Sequence, residues 1–298
     1  MKQIYLNSIF CLCLQILFFH LSAQEIVFCG DDKLTVVNYA ASKDSIPVIV
    51  WQWQPKMSNE IPRLFSEKYL QTLDECKPIN NGNDFLIASS KGAVALVSRL
   101  TNKVSFYAEA PNAHSIELLP HNKVAVALST ADNGNAIRIY DLSQSDKILC
   151  SDYSYSAHGV IWDNNKQVLY TLNYDELSIY KIEHLSTDKP SLKKLETYKI
   201  PDRSGHDLQW MPGKKQLIFT TEFGVFTFDI AAKIFAPFKD LEAQKDVKSI
   251  SFQANSNRLM YIQSEERWWS FHINFLQPKQ QLAIPSIRLY KARWINTK

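Results

Sequence analysis

Three stretches of the chain share one pattern: "AHSIELLP" at 113–120, "AHGVIWDN" at 157–164 and "GHDLQWMP" at 205–212. Each begins with a small residue and a histidine, continues through mostly apolar residues and ends at turn residues. The whole chain has only seven histidines. Three of them at the same place in a recurring unit indicate that the chain is built from repeats, and a repeat of this kind decides the fold.

Each histidine stretch is followed by three more short segments of similar character. These segments are rich in β-branched and aromatic residues and are separated by Pro, Asn, Asp or Gly, as expected for strands joined by tight turns. The units begin at Glu75, His114, His158, His206 and Lys248, at intervals of 39, 44, 48 and 42 residues. Four strands at this period predict the blade of a β-propeller.

The two ends of the chain are predicted to share one blade. The segments "EIVFCG", "KLTVVNY" and "PVIVWQW" form three strands with no inner strand before them, whereas "YKARWIN" is an inner-type strand with nothing after it. Pairing them closes the ring and removes its exposed edges. The sequence therefore predicts an all-β, six-bladed β-propeller with four strands per blade, and helix only within "RLFSEKYLQTL" at 63–73.

Residues 1–23 are predicted to be a signal peptide, and residues 24–298 a single propeller domain. Met1-Lys2 is a minimal basic start, Ile9 to Leu21 is apolar, and Leu21-Ser22-Ala23 is a small-residue cleavage site. The apolar run is short for a membrane span. We expect an exported protein, periplasmic or extracellular, that is not inserted in a membrane after cleavage; an uncleaved anchor is the alternative.

Charge and cysteine content exclude several classes of function. The formal net charge of +3 would fall to +2 on cleavage, which gives no electrostatic case for nucleic acid. Cys29, Cys76 and Cys150 would remain, so at most one disulfide forms, and Cys29 and Cys76 are expected to be buried free thiols. The sequence has no Gly-rich phosphate loop, nucleophile elbow or Cys-x-x-Cys. We expect a monomer.

The starts of the inner strands predict a site. In a propeller the first strand of each blade lines the central channel, so a residue at its start lies at the channel mouth. Around the ring these positions are Glu75, His114, His158, His206, Lys248 and either Tyr290 or Arg293. Imidazoles from three successive blades should converge. Lys248 and Arg293 would attract a carboxylate or sulfate, and Glu75 would act as a base or pair with a cation.

Three interpretations of the histidines are open. His114, His158 and His206 together suit a divalent metal ion with one open position. Without metal they would donate or accept protons for a bound ligand. In the architectural interpretation, each histidine ties loops together, as Gly-His pairs do in other propellers. The change from Glu to His to Lys around the ring favours a binding site, since an architectural requirement would repeat in every blade.

Hairpins on the same face carry secondary candidates. Trp268 and Trp269 are adjacent in a strand context and must point to opposite faces, so one is expected to be exposed, where it would stack on a sugar ring. Acidic pairs and single acidic residues in these hairpins are expected to be ordinary solvated turns. They are Asp31-Asp32, Asp132, Asp175-Glu176, Glu222 and Glu265-Glu266.

A series of motifs resembles a known family. In order they are "DECKP", "SSKGAVALV", "NAHSIELLP", "AHGVIWD", "GHDLQWMP", "TTEFGVFTFD" and "VKSISF". The series is similar to an uncharacterised family of secreted bacterial six-bladed propellers found largely in polysaccharide degraders, over about residues 25–296. The resemblance implies the fold and export but no reaction. Histidine-bearing propeller mouths also resemble those of metal-dependent polysaccharide lyases, although the ligand pattern does not match residue by residue.

These observations lead to three hypotheses. The first is an exported propeller that binds a small or carbohydrate ligand, an acidic glycan above all, at the mouth formed by the three histidines with Glu75, Lys248 and Arg293. The second is a metal-dependent polysaccharide lyase or hydrolase acting there. The third is a scaffold whose outer faces bind a protein partner and whose histidines are architectural.

Overall fold

The computed structural model describes residues 24–43, 46–254, 256 and 258–296, so the predicted signal peptide lies outside the described residues. Within these ranges the chain forms 24 strands in six antiparallel four-stranded sheets. Each sheet is one blade, numbered here in ring order. The prediction of a six-bladed propeller is confirmed.

The bounds of the strands follow the repeat. Blade 1 contains β1 (Glu25–Gly30), β2 (Lys33–Lys43), β3 (Ile46–Trp53) and β24 (Leu289–Ile295). Blade 2 contains β4 (Leu73–Ile79), β5 (Asp84–Ser89), β6 (Ala93–Ser98) and β7 (Val104–Glu109). Blade 3 contains β8 (Ala113–Leu119), β9 (Lys123–Leu128), β10 (Ala136–Asp141) and β11 (Ile148–Tyr153).

The other three blades repeat this order. Blade 4 contains β12 (Gly159–Asp163), β13 (Val168–Leu172), β14 (Glu176–Glu183) and β15 (Ser191–Lys199). Blade 5 contains β16 (Asp207–Trp210), β17 (Gln216–Thr220), β18 (Val225–Asp229) and β19 (Ile234–Pro237). Blade 6 contains β20 (Val247–Phe252), β21 (Leu259–Gln263), β22 (His272–Phe275) and β23 (Gln280–Ala283).

Helix α1 (Arg63–Tyr69) lies between blades 1 and 2, inside the stretch for which the sequence predicts helix. Single 3-10 turns occur at Pro55–Met57, Asn80–Gly82 and Lys239–Leu241. In the part of the chain that the structure describes, no helix is long and apolar enough to cross a membrane.

Blade 1 closes the ring as the sequence predicts. Strand β24 is its innermost strand and pairs antiparallel with β1, from Glu25 opposite Ile295 to Gly30 opposite Leu289. The last strand that the structure describes therefore pairs with the first one, and β24 covers the edge of β1 that would otherwise face the channel. Gly30 permits the close approach at the end of this ladder, because a Cβ there would lie 1.9 Å from the Arg288 carbonyl oxygen.

The hydrophobic core lies between neighbouring blades rather than in one centre. Apolar residues of the inner and middle strands pack against the neighbouring blade, so these strands are buried, whereas outer strands such as β15 are largely exposed. Cys29 and Cys76 lie in the cluster between blades 1 and 2, and both are fully buried. These two residues and Cys150, which is partly exposed, are free thiols.

The variant Gly30→Ala tests the closure. We expect it to lower the free energy of unfolding by about 2 kcal/mol or more, since the new Cβ meets backbone that can move only by opening the β1–β24 ladder. Thermal unfolding followed by circular dichroism would show a melting temperature roughly 4–8 °C lower.

The matched control is Gly224→Ala, whose new Cβ would meet only the ring of Phe226, at 3.1 Å. A larger loss of stability in Gly224→Ala than in Gly30→Ala would contradict this account of the closure.

Candidate functional site

A bulge at the start of the inner strands decides which residues lie at the channel mouth. In four inner strands the pairing with the second strand of the blade skips one residue. The skipped residue is Asp74 in β4, His114 in β8, Lys248 in β20 and Tyr290 in β24. His158 and His206 precede the first pair of their strands, and their N–H groups donate to the carbonyls of Leu172 and Thr220. These six equivalent residues are called the histidine mouth below.

Glu75 and Arg293 occupy deeper positions than the sequence alignment gave them. Because a bulge inserts one residue, the equivalent of His114 in blade 2 is Asp74, and Glu75 lies one position further along the strand. In blade 1 the equivalent is Tyr290, and Arg293 lies three residues beyond it. The structure thus brings His114, His158, His206 and Lys248 together at the mouth and adds Asp74, which the sequence reasoning missed.

The three imidazoles converge. The ring centroids of His114 and His158 lie 4.2 Å apart, and those of His158 and His206 lie 5.6 Å apart. The Tyr290 ring lies 5.8 Å from that of His114. His114 is buried, whereas His158 and His206 are partly exposed.

Backbone carbonyls set the tautomers of two of these histidines. Nδ1 of His114 lies 3.0 Å from the Asn112 oxygen, and Nδ1 of His158 lies 2.9 Å from the Ser156 oxygen. A carbonyl oxygen only accepts, so each Nδ1 carries the proton and each Nε2 is an unprotonated acceptor. Among the described residues neither Nε2 has a hydrogen-bond partner.

His206 is held differently. The Lys248 ammonium donates to its Nε2 at 2.9 Å, which places the ring proton on Nδ1. This Nδ1 is buried and has no hydrogen-bond partner in the described structure. The Lys248 ammonium also lies 3.5 Å from the Asp246 carboxylate.

Burial keeps the three imidazoles of the mouth uncharged. It lowers the pKa of all three histidines, that of His158 to about 4, with the neighbouring imidazoles and lysines acting in the same direction. Burial also lowers the pKa of Lys248, although Asp246 opposes this. Burial raises the pKa of Asp74 to about 7. At neutral pH the imidazoles are therefore uncharged hydrogen-bonding groups.

Directly below the mouth, four charged side chains fill the axis and form what is called here the ionic plug: Glu75, Asp207, Lys291 and Arg293. All four are buried. The Arg293 guanidinium donates to both Asp207 oxygens at 2.7 Å and to Glu75 at 3.0–3.1 Å. Two cations balance two carboxylates, as a buried ionic cluster requires.

Lys291 completes the ionic plug. Its ammonium lies 3.2 Å from Glu75 and 3.5 Å from Asp207, and it donates to the backbone oxygen of His114 at 3.0 Å. Burial alone would raise the pKa of Asp207 and of Glu75, but Arg293 and Lys291 outweigh it and hold both pKa values below the usual range. The ionic plug therefore stays charged, and it ties the histidine mouth to the core through His114.

The ionic plug divides the channel into two separate mouths. Lys291 and Glu75 have no solvent exposure, so neither is reached from either end. At the far end Lys77 pairs with Glu117 and donates to the Val160 oxygen. A cavity of about 490 Å³ opens there, lined in part by Lys77 and Arg293.

Aromatic side chains with adjacent cations lie on the same face as the histidine mouth, in loops of blades 5 and 6. Lys248 lies 5.9 Å from the Trp268 ring, Arg288 lies 5.4 Å from Trp269, and Arg203 lies 5.4 Å from Phe223. Trp268 is 62% exposed and is the exposed member of the predicted Trp268–Trp269 pair. We call these three arrangements the cation–aromatic pairs. Nearby, Tyr155 is exposed and its ring lies 5.6 Å from that of Tyr174.

Several acidic hairpin residues form local contacts. Asp175 and Glu176 pair with Lys199, and Asp31 pairs with Arg288. Glu265 accepts hydrogen bonds from Ser270 and contacts His272. The carboxylates of these four residues are therefore held by other side chains of the protein.

The fit to a metal ion is incomplete. The unprotonated Nε2 atoms of His114 and His158 have the character of metal ligands, but that of His206 accepts a hydrogen bond from Lys248. No group of three His, Cys, Asp or Glu residues among those described is arranged to hold a metal ion. A metal site with the third histidine would require Lys248 to move.

The fold and the axis define a class: a six-bladed β-propeller whose channel is closed by buried charges beneath a histidine-bearing mouth. Residues 18–298 match the model of a family described as "Family of unknown function (DUF6528)", and the chain belongs to that family. No curated protein matches the chain.

The variant Arg293→Met tests the ionic plug. Removing the guanidinium leaves Glu75 and Asp207 with only Lys291, and an incompletely paired buried charge costs about 3–5 kcal/mol. Chemical unfolding with urea would measure this loss. Adding Asp207→Asn should recover part of it, because the one remaining cation, Lys291, then balances the one remaining carboxylate, Glu75.

The control for this variant is Arg63→Met, which breaks the exposed pair of Arg63 with Glu67 and should leave stability unchanged. If Arg293→Met lost no more stability than Arg63→Met, the ionic plug would have no structural role.

The contribution of His158 to stability should fall between pH 7 and pH 5. The folded pKa of His158, about 4, lies below the unfolded value of about 6.5, so the unfolded chain binds the proton first as the pH falls. The stability that His158 contributes is complete above about pH 6.5 and is lost as the pH falls towards 4. Since the ring is partly exposed, we expect His158→Gln to lose about 1 kcal/mol less than the wild type over this range.

Asp74 acts in the opposite sense, because its folded pKa is raised and its protonation at low pH favours the folded state. Asp74 is present in both proteins, so it cancels in the comparison. Urea unfolding at pH 5 and pH 7 would measure the difference, with His184→Gln on the surface as control. Equal pH dependence in His158→Gln and wild type would contradict a neutral buried imidazole.

Proposed function

We propose that the protein is an exported propeller that binds an acidic carbohydrate at the histidine mouth. The observation that carries this proposal is that three cation–aromatic pairs lie on the same face as two unpaired imidazole acceptors. Each feature meets a different part of an acidic sugar: its hydroxyl groups, its apolar ring face and its anionic group.

The imidazole acceptors suit hydroxyl groups. The ring proton of His114 and of His158 is on Nδ1, where it forms a hydrogen bond to a backbone carbonyl oxygen. The Nε2 atom of each ring therefore accepts hydrogen bonds and does not donate them. Burial lowers the pKa of both rings, so they stay in this form at neutral pH. A sugar hydroxyl is the kind of neutral donor that such an acceptor binds.

The cation–aromatic pairs suit the rest of an acidic sugar. An exposed indole such as Trp268 offers an apolar face for stacking. The exposed Arg203 beside Phe223 then lies where a carboxylate or sulfate on a stacked sugar would be, whereas Lys248 beside Trp268 is buried and contributes positive charge without direct contact. Charge-assisted hydrogen bonds to such a group are stronger than those between neutral partners.

Isothermal titration calorimetry with trigalacturonate, and with neutral maltotriose for comparison, tests the proposal. We expect trigalacturonate to bind and maltotriose to bind at least tenfold more weakly. Trp268→Ala and His158→Ala should each weaken trigalacturonate about tenfold, through lost stacking and a lost acceptor respectively. The matched control is Tyr153→Ala on the outer strand of blade 3, where an equally exposed aromatic side chain, 67% exposed, should have no effect.

Two outcomes would overturn the proposal in favour of the other hypotheses. Stoichiometric metal in the purified protein, lost in His158→Ala with the fold intact, would favour the metal-dependent lyase or hydrolase. Absence of binding across acidic and neutral oligosaccharides, with lowered melting temperatures in all three histidine-to-alanine variants, would favour architectural histidines in a protein-binding scaffold.

A further inference from the structure

A cleft of about 530 Å³ opens between blades 4 and 5, on the face opposite the histidine mouth. Its position follows from strand direction. Strands β12 and β16 begin at the histidines, so the turns that follow them lie at the other end of the ring. These turns and the β18–β19 turn form the walls, which include Trp162, Asp163, Lys166, Trp210, Lys214 and Lys215.

Two indoles line the cleft, one from each blade. Trp162 is held in place because its Nε1–H donates to the Asn164 side-chain oxygen at 3.0 Å. Trp210, at the end of β16, is partly exposed and packs edge-on against Tyr170, with ring centroids 5.8 Å apart. The cleft therefore has a pre-formed apolar side to which both blades contribute, and its volume is in the usual range for small-molecule sites.

Three exposed lysines give the cleft a positive charge. Lys166 lies in the β12–β13 turn, and Lys214 and Lys215 lie in the β16–β17 turn. In the described ranges none of the three ammonium groups has a hydrogen bond or an ion pair. Other exposed lysines do have carboxylate partners, as Lys199 has in Asp175 and Glu176.

The one acidic residue in the cleft lining, Asp163, accepts hydrogen bonds from the backbone of its own turn. Asp163 Oδ1 accepts the backbone N–H groups of Asn165 at 2.8 Å and Lys166 at 3.0 Å. This contact shapes the β12–β13 turn and holds the Asp163 carboxylate against the backbone. The three lysines of the cleft lining thus outnumber its one carboxylate, and none of their ammonium groups forms an ion pair with it.

We propose that this cleft is a second binding site, which takes a sugar residue bearing a carboxylate or a sulfate. The lysines supply charge-assisted hydrogen bonds to the anionic group, and the indole edge supplies the apolar contact. The argument uses none of the residues of the histidine mouth, so the two sites stand or fall separately. Since they lie on opposite faces, one short oligosaccharide cannot occupy both, and each chain binds two trisaccharides.

Nuclear magnetic resonance of the indole N–H groups tests the cleft directly. The signal of Trp210 is assigned from its disappearance in Trp210→Phe, and that of Trp268 from Trp268→Phe. Titration with trigalacturonate should shift the Trp210 signal, and maltotriose should not. In the triple variant K166Q/K214Q/K215Q the shift of Trp210 should require about tenfold more trigalacturonate, while that of Trp268 is unchanged.

The control variant K56Q/K103Q/K189Q removes the same charge from exposed lysines elsewhere and should leave both titrations unchanged. An unshifted Trp210 signal would overturn the cleft site whatever happens at Trp268. An equal effect of the control variant would show that net charge alone is responsible and would also overturn it. Inorganic sulfate acting as strongly as trigalacturonate would refute a site for a sugar residue.

Discussion

The pairing of Arg293 with Glu75 and Asp207 is the interaction on which the rest of the molecule depends. The guanidinium comes from the closing strand β24, while the carboxylates come from blades 2 and 5, across the axis. Four buried charges are tolerated only because each finds opposite charge within hydrogen-bonding distance. The same contacts that neutralise the axis therefore join separate blades, so ring closure and charge balance are one requirement.

The ionic plug also determines what kind of site the mouth can be. A channel open along its axis would let water reach the histidines from below and keep their pKa values near 6.5. With the axis closed, burial makes the rings neutral and two backbone carbonyls fix which nitrogen accepts. The mouth is thus a pre-oriented surface above a closed axis, and the binding proposed there would depend on hydrogen bonds and aromatic faces.

The sequence predicts the fold almost completely, because strand periodicity and the 39–48-residue repeat are local signals. It also brings His114, His158 and His206 together, since they share one repeat position. The sequence does not place Asp74 and Glu75 correctly, because the extra residue of a β-bulge cannot be recognised in the alternation of apolar and polar residues. Lys291 was missed, although two cations at alternate positions of an inner strand, in "YKARWIN", indicate that carboxylates lie opposite them.

One feature of blade 1 bears on how the protein is made. Both cations of the ionic plug lie on β24, and the ribosome delivers this strand after every other strand that the structure describes. Until then the growing chain carries Glu75 and Asp207 without their partners, and the five preceding blades have an open seam. Closure of the ring therefore waits until β24 has been made, and a polypeptide interrupted before Leu289 leaves Glu75 and Asp207 without their cationic partners.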